Sequence, residues 1–238
     1  MKIKKVTMTG ADNSITPEQL FPITEKYPFV EWGILVSRNS QGNNRFPSKE
    51  WMNGLALIEQ NQLQLSCHLC GTYVKEILMG STRFISELED IWKHFSRVQI
   101  NTHGIPHQYD KHGLIQVLKE HSDKEFIFQY DIVNKQIVEA VSSECKNISA
   151  LFDLSHGAGV LPKEWVEPLE GIKCGYAGGL SPENVAQQIK LIEEKVGDNE
   201  IWIDMETQIR SNNDRQFDLV KVEKVLEICN ETELVCQQ

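Results

Sequence analysis

The sequence predicts a (β/α)₈ barrel that spans residues 1–238 as a single α/β domain. Short apolar runs recur at regular spacing, and amphipathic stretches of helical period lie between most of them. No linker or low-complexity segment interrupts this alternation, which is typical of a parallel sheet covered by helices. The length of 238 residues is close to the roughly 250 residues of such a barrel.

Eight apolar runs predict the strands. They lie at about residues 3–8, 31–36, 63–67, 97–101, 125–130, 148–153, 171–176 and 200–204. Helix-start residues follow the first two runs, in Thr16-Pro17-Glu18 and Pro47-Ser48-Lys49-Glu50. Apolar residues three and four apart predict further helices within 85–95, 113–120, 134–142, 184–195 and 219–228. We therefore expect a helix after each strand.

An open doubly wound sheet is the alternative fold. Such a dinucleotide-binding fold has a glycine-rich fingerprint after its first strand. The segment Thr9-Gly10-Ala11-Asp12 does not supply that fingerprint, so the barrel is favoured.

Composition excludes several classes of partner. The net charge of −10 argues against nucleic acids and anionic membrane surfaces. The chain has no apolar stretch of the roughly 20 residues that a membrane span needs. Met1-Lys-Ile-Lys-Lys5 is not followed by the apolar segment of a signal peptide. We expect a cytoplasmic monomer or homodimer with a small-molecule substrate, no nucleic-acid partner and no membrane partner.

The six cysteines are expected to be thiols in that compartment. Cys67 and Cys70 have the spacing of a metal or redox pair, but no second pair completes a zinc site. We expect no cofactor, with a divalent metal as the open alternative.

The barrel prediction indicates where a functional site lies, because polar residues at the carboxyl ends of the strands face the mouth. A barrel with only a structural role needs no polar group at these ends, so the pattern predicts an active or binding site. The residues at these positions are Thr9, Arg38, Arg45, His68, Cys70, Gln99, Asn101, Gln129, Asp131, Asp153, His156, Gly178, Gly179, Asp204 and Glu206.

A strand, a glycine turn and a helix start follow one another in the segment 174–185. Ser181 is a suitable N-cap, and Pro182 suits the first helical position. Gly178 and Gly179 precede this helix start, where free backbone amides bind an anion such as phosphate. A tight turn with no ligand is an equal interpretation of the two glycines.

The segment Tyr176-Ala-Gly-Gly-Leu-Ser-Pro-Glu-Asn-Val185 resembles the AGGL-x-PENV motif of the phosphoribosylanthranilate isomerases. The likeness covers most of the chain and is strongest over this segment. Weaker similarities to other motifs of the family lie in Arg45–Ser48, Gln99–Asn101, Leu151–Asp153 with Gly157–Gly159 and Trp165, and Ile203–Asp204 with Phe217, Asp218 and Lys221.

That resemblance implies an Amadori rearrangement of a phosphorylated sugar. In the family an aspartate on strand six is the general acid, a cysteine on strand one is the base, and amides at strands seven and eight hold the phosphate. By this resemblance Asp153 is the acid, and Gly178 and Gly179 contact the phosphate.

Two departures argue against the family's own reaction. The motif K-I-C-G becomes Thr7-Met8-Thr9-Gly10, and a threonine hydroxyl is no base without an activating group. The phosphate-binding S-S-G becomes Met205-Glu206-Thr207, which places a carboxylate where amides should meet the phosphate. Like charges ~4 Å apart repel by about 4 kcal/mol at an intermediate dielectric.

Other groups offer replacement chemistry. Asp204 and Glu206 lie two apart on one strand and share a face, so an acid/base set with Asp153 and a metal site with His68 and His156 are both open. A structural alternative for Asp204 is that it only binds neighbouring loop amides. A neutral His68 would polarise a carbonyl, or it is only a packed barrel residue. We expect His103, His107 and His112 to be solvated. Arg210 and Arg215 either restore a positive field for phosphate or balance the acidic surface.

The sequence therefore predicts a phosphoribosylanthranilate isomerase-like intramolecular isomerase that acts by acid/base catalysis on a phosphorylated sugar or related molecule. The predicted catalytic residues are Asp153, Glu206 and His68. The predicted substrate- or phosphate-binding residues are Gly178, Gly179, Arg45, Asn101, Gln129, Asp204 and Thr9. A non-catalytic or metal-dependent ligand-binding barrel is the alternative. A Glu206 that points into the mouth favours catalysis, whereas a Glu206 paired with Arg210 or Arg215 outside favours binding alone.

Overall fold

A computed structural model describes residues 1–58, 62–103, 106–153, 155, 159–232 and 234–235. Eight parallel strands close into a barrel in chain order, which confirms the predicted fold class. Each strand overlaps its predicted apolar run. The strands are β1 (Lys2–Thr9), β2 (Val30–Val36), β3 (Leu65–Leu69), β4 (Phe95–Ile100), β5 (Glu125–Gln129), β6 (Ile148–Asp153), β7 (Lys173–Ala177) and β8 (Glu200–Met205).

Helices cover the outside of the barrel. They are α1 (Phe21–Lys26), α2 (Lys49–Ala56), α3 (Thr72–Leu78), α4 (Arg83–Glu87), α5 (Glu89–Trp92), α6 (Lys111–Glu120), α7 (Lys135–Val141), α8 (Val185–Val196) and α9 (Leu219–Glu231). The predicted helix at 85–95 is two short helices, α4 and α5, and α3 has no counterpart in the prediction. After β8, the short strands β9 (Arg210–Ser211) and β10 (Gln216–Phe217) form a hairpin.

The expectation of a helix after every strand is wrong for β6. Residues 155 and 159–172, which are the described part of the β6–β7 connection, contain no helix. Pro162 and Pro168 explain this locally, because proline lacks the N–H that a helix interior needs. Trp165 anchors the connection instead. Its ring is buried and donates a hydrogen bond to Gln188 on α8 at 3.0 Å.

The helix after the glycine turn begins later than expected. Asn184, not Ser181, is the N-cap of α8. Ser181–Asn184 form a separate turn, in which the Ser181 hydroxyl accepts a hydrogen bond from the Glu183 amide at 3.2 Å. The Asn184 side chain accepts from the Ser181 amide at 2.9 Å. These bonds already use two backbone amides next to the Gly178–Gly179 turn, where amides were expected to face an anion.

The floor of the barrel is ionic rather than apolar, although branched apolar residues usually fill such interiors. Arg97 donates to the carboxylates of Glu31 at 2.8 Å and Glu125 at 3.2 Å. Its guanidinium also lies 4.2 Å from the centre of the Trp202 ring. That ring occupies the space over Gly175, where a Cβ would come within 2.1 Å of a ring carbon. This layer closes the barrel beneath the mouth.

In the part of the chain that the structure describes, no helix combines the length and apolar character that crossing a bilayer requires.

Candidate active site

A cavity opens at the carboxyl ends of the strands, on the side of the barrel where the sequence places the site. It encloses about 510 Å³, including space open to solvent. Its polar lining comes from seven of the eight strands or the loops that follow them: Thr9, His68, Gln99, Asn101, His103, Gln129, Asp153, Ser155, Gly178, Gly179, Asp204, Glu206, Thr207 and Gln208.

Asp204 is the most enclosed carboxyl of this lining. The Thr9 hydroxyl donates to its Oδ1 at 2.8 Å. Burial raises the pKa of Asp204 well above its usual value, and the nearby carboxylates of Glu206, Glu31 and Asp153 raise it further. The bond from Thr9 acts in the opposite direction and does not outweigh burial. Asp204 is therefore a carboxyl that keeps its proton at a higher pH than an exposed aspartate.

His68 is a buried, neutral imidazole in the same cavity. Burial, with a smaller effect of the Arg97 charge, lowers its pKa to about 3. Its Nδ1 lies 3.2 Å from the Gln99 side-chain nitrogen, which also donates to Asn101 at 2.9 Å. The His68 ring is thus held in place by side chains of β4 and the residue after it. A neutral imidazole can polarise an oxygen of a bound molecule.

Asp153 stands at the end of β6 and is positioned by its neighbours. Its Oδ1 accepts two hydrogen bonds from Ser155, from the amide at 3.1 Å and from the hydroxyl at 2.7 Å. Its Oδ2 accepts from the Gln129 side chain at 3.5 Å. The oxygen of that Gln129 amide is in turn fixed by the His103 backbone amide at 2.6 Å. The carboxylate is only half-buried, in contrast to that of Asp204.

Glu206 lines the cavity and is paired with Arg45, not with Arg210 or Arg215. Arg45 also binds both carboxylate oxygens of Asp214, at 2.9 and 3.0 Å. Its backbone has a left-handed φ of 72°, and its amide donates to Asp12 at 2.8 Å. These contacts fix the guanidinium against the cavity wall, where it neutralises the Glu206 charge.

The Gly178–Gly179 turn lines the cavity between β7 and α8. Both glycines have a positive φ, of 115° and 65°. A Cβ on Gly179 would come within 2.3 Å of the Leu161 amide nitrogen. The backbone of the β6–β7 connection therefore packs directly on this turn, which explains why a side chain is not tolerated there.

Several candidate residues lie outside the lining of the cavity. Arg38 pairs with Glu76 and Glu87. Asp131 accepts from the Val133 and Asn134 amides before α7. Arg210 does not provide a positive field in the mouth, because its buried guanidinium binds Asp12 and Asp214.

Cys67 and Cys70 are buried free thiols. Burial raises the pKa of both, and that of Cys70 rises to about 12. Neither thiol is therefore a ready nucleophile at neutral pH.

His103 is exposed, as expected of the loop histidines, and it also lines the cavity. His107 contacts the Thr102 carbonyl oxygen at 3.3 Å, and His112 lies in the first turn of α6. Ser155, Thr207 and Gln208 were also absent from the predicted site. Ser155 carried a signal, since a serine two residues after an aspartate commonly donates to it.

No group of three His, Cys, Asp or Glu side chains suited to a metal ion occurs among the described residues. His156, which was a candidate ligand, and Gly157 lie outside them.

No protein-family model and no curated protein sequence matches the chain. Several solved structures are similar to the chain. TrpF from Jonesia denitrificans is similar with a TM-score of 0.62 at 12% identity, over 96% of this chain and 98% of that one. N-(5′-phosphoribosyl)anthranilate isomerase from Pyrococcus furiosus gives a TM-score of 0.56 at 14% identity, over 95% of this chain and 98% of that one. Monomers of the dimeric phosphoribosylanthranilate isomerase from Thermotoga maritima give a TM-score of 0.59 at 13% identity, over 96% of this chain and 99% of that one. The resemblance seen in the sequence is thus confirmed at the level of the fold: the chain is a divergent barrel with the architecture of the phosphoribosylanthranilate isomerases.

Proposed function

We propose that this protein is an intramolecular isomerase that acts on a sugar phosphate or a closely related small molecule by acid/base catalysis. The reaction moves protons between carbon and oxygen of one bound molecule, which needs an acid, a base and exclusion of bulk water. The cavity over the barrel supplies candidates for the acid and the base.

The observation that carries this proposal is the pair of carboxyls, Asp153 and Asp204, in one cavity but in different surroundings. Asp204 is enclosed and its pKa is raised, whereas Asp153 is half-buried and held by Ser155. Two carboxyls whose environments differ in this way can take opposite roles in proton transfer.

We assign Asp153 to the substrate's ring or leaving oxygen, in line with its place at the end of β6. Once it has donated its proton, the Asp153 carboxylate is the candidate base for the proton on carbon, whereas the enclosed Asp204 holds its proton more strongly. The base assigned from the sequence, Glu206, is less suited to that role because Arg45 pairs with its carboxylate. His68 is better suited to polarising an oxygen than to taking a proton, because its pKa is lowered to about 3.

The phosphate of the substrate is assigned to the Gly178–Gly179 turn. Glu206 lines the same cavity, but Arg45 offsets its charge and reduces the repulsion that the sequence alone predicts. The family's own substrate remains a poor candidate, because Thr9 stands where the basic thiol is needed.

A thermal-shift screen followed by a turnover assay tests the proposal. Ribose 5-phosphate, related aldose and ketose phosphates and their unphosphorylated counterparts are the probes. A ligand at ~100 times its dissociation constant adds about 2.7 kcal/mol of stability. We expect phosphorylated sugars to stabilise more than free sugars, and at least one to be isomerised. If sugars stabilise the protein but none of them is turned over, the protein is a non-catalytic binding barrel. If only a divalent metal stabilises it, the protein is a metal-dependent binding barrel.

A further inference from the structure

A second cavity lies at the amino-terminal end of the barrel, opposite the candidate active site. It encloses about 470 Å³, including space open to solvent. Its lining comes from the first halves of β1, β4, β5, β7 and β8, whereas strand ends and the loops after them line the active-site cavity. The lining residues are Lys4, Lys5, Arg97, Glu125, Lys173, Glu200, Ile201 and Trp202.

A buried layer separates the two cavities. The Trp202 ring lines the second cavity and belongs to an apolar cluster with Leu151 and Ala177. Both of these residues line the active-site cavity. Among the described residues, none lines both cavities. The second cavity is therefore not an extension of the site described above.

The second cavity has an excess of positive charge, although the whole chain carries a net charge of −10. Three lysines and one arginine line it, against the carboxylates of Glu125 and Glu200. The buried carboxylate of Glu31 lies behind the lining, where it pairs with Arg97 at 2.8 Å and with Lys5 at 3.6 Å. Of the described residues, three carboxylates thus face four cations, and one positive charge is left over.

Arg97 lines the cavity with part of its guanidinium unpaired. Its Nη1 donates to Glu31 at 2.8 Å and its Nε donates to Glu125 at 3.2 Å. Its Nη2 donates to no group in the described part of the chain. The side chain is 5% exposed, and these bonds and the Trp202 ring hold the guanidinium in one orientation. A planar guanidinium that is already ordered loses little entropy when it binds an oxygen anion.

Lys173 is the cation best able to turn towards an incoming anion. It shares the Glu125 carboxylate with Arg97, at 3.1 Å, so the two cations lie on either side of one carboxylate. The Lys173 side chain is 73% exposed. An ion pair in such contact with water contributes little to stability, so its rearrangement costs little.

We propose that this cavity is a second binding site, for a small organic carboxylate whose oxygens bind Arg97 and Lys173. The single negative charge of a carboxylate matches the one positive charge left over, and its two oxygens suit the donors of a guanidinium. Ile201 and Trp202 provide an apolar wall for the rest of the ligand. The inference goes beyond the proposed function and does not depend on it, because the two cavities are separate.

NMR of protein with ¹⁵N-labelled tryptophan tests this site. The chain has five tryptophans, and the signal lost in Trp202→Phe is that of Trp202. Its indole N–H has no hydrogen-bond partner among the described residues, and its ring contacts Arg97, so its signal reports a charge that reaches the guanidinium. Butyrate and butyramide are the probes, because they are similar in shape and differ in charge. We expect butyrate to move the Trp202 signal and to bind roughly tenfold more tightly than butyramide.

Two results would overturn the proposal at this stage. Equal binding of butyrate and butyramide would show that the positive charge of the cavity selects no anion. A Trp202 signal that inorganic phosphate moves and butyrate does not would show that the cavity takes inorganic ions and not a carboxylate.

Lys173→Gln is the decisive variant. Because this side chain is exposed, we expect the variant to fold and its affinity for butyrate to fall about fivefold. Lys75→Gln is the matched control, since it removes the same charge from an exposed position on α3 outside the cavity. The control should bind butyrate as the wild type does. Equal weakening in the two variants would reflect net charge alone and would overturn the proposal.

Discussion

The Thr9 hydroxyl donates to the Asp204 carboxylate at 2.8 Å, across the seam where the first strand of the barrel meets the last. Both side chains are buried, at 1% and 6% exposure. The hydroxyl stands where the resemblance places a basic thiol, and it contacts a carboxyl whose pKa is raised. The altered residue on β1 and the enclosed acid on β8 therefore form one unit.

Asp204→Asn should make the protein more stable at neutral pH and flatten its dependence on pH. The folded state raises the pKa of Asp204, so above the unfolded value of about 3.8 the folded state binds more protons than the unfolded state. Stability is lost as the pH rises from there towards the folded pKa. Asparagine is neutral and still accepts from Thr9. Urea unfolding between pH 4 and 8 measures the effect, and identical slopes for the two proteins would contradict it.

His68→Gln should remove part of the loss of stability in acid. The pKa of His68 falls from 6.5 to about 3 in the folded protein, so the unfolded state takes up the proton first as the pH falls. The contribution is complete above pH 6.5 and decreases by up to about 1.4 kcal/mol per pH unit below it. Unfolding of wild type and variant at pH 7, 6, 5 and 4 gives the difference. A gap between the two that stays constant with pH would show that His68 is not buried neutral.

Arg97→Met should destabilise the protein by about 3–5 kcal/mol, because it leaves the carboxylates of Glu31 and Glu125 without their buried partner. Glu31 is fully buried, so its charge has little access to water. Chemical unfolding measures the loss. The double variant Arg97→Met/Glu31→Gln is the matched control and should recover much of the stability. A double variant as unstable as Arg97→Met alone would indicate lost packing on Trp202 instead.

Glu206→Gln should raise the preference of the cavity for phosphorylated over free sugars severalfold. The substitution removes a negative charge from the cavity that the Gly178–Gly179 turn also lines, and it releases Arg45 from its carboxylate partner there. Calorimetric titration with ribose and ribose 5-phosphate gives the two affinities. Glu76→Gln, on the Arg38 pair outside the cavity, is the control and should leave the ratio unchanged. An unchanged ratio in Glu206→Gln would place the phosphate elsewhere.

The strands were predictable because each is a short apolar run between polar segments, and burial on both faces of a parallel sheet requires such runs. The helix between Thr72 and Leu78 was missed, although Val74, Ile77 and Leu78 lie three and four residues apart and are buried. A helix was expected in the β6–β7 connection only because the strand–helix alternation of the rest of the chain was assumed to continue there. Its own prolines favour the irregular path that the structure has.

The sequence predicts which positions line the site, but it does not predict which side chains pair with one another. The closed barrel brings Asp153, Asp204 and His68 into one cavity, which follows from their places at strand ends. The pairing of Arg45 with Glu206 joins residues 161 positions apart, and nothing local in the sequence selects it over Arg210. The approach of Thr9 and His68 over Gly33 is equally invisible in the sequence, because it depends on how two neighbouring strands project their side chains over a third.

Exchange of substrate hydrogen with solvent deuterium tests the central claim most directly. The wild-type protein is incubated in D₂O with whichever sugar phosphate stabilises it, and deuterium at the carbon next to the carbonyl is followed by proton NMR. Acid/base catalysis at Asp153 predicts exchange and isomerisation by the wild type. It predicts loss of turnover in Asp153→Asn, with the ligand still bound. A bound sugar phosphate that the wild type neither exchanges nor isomerises would contradict the account.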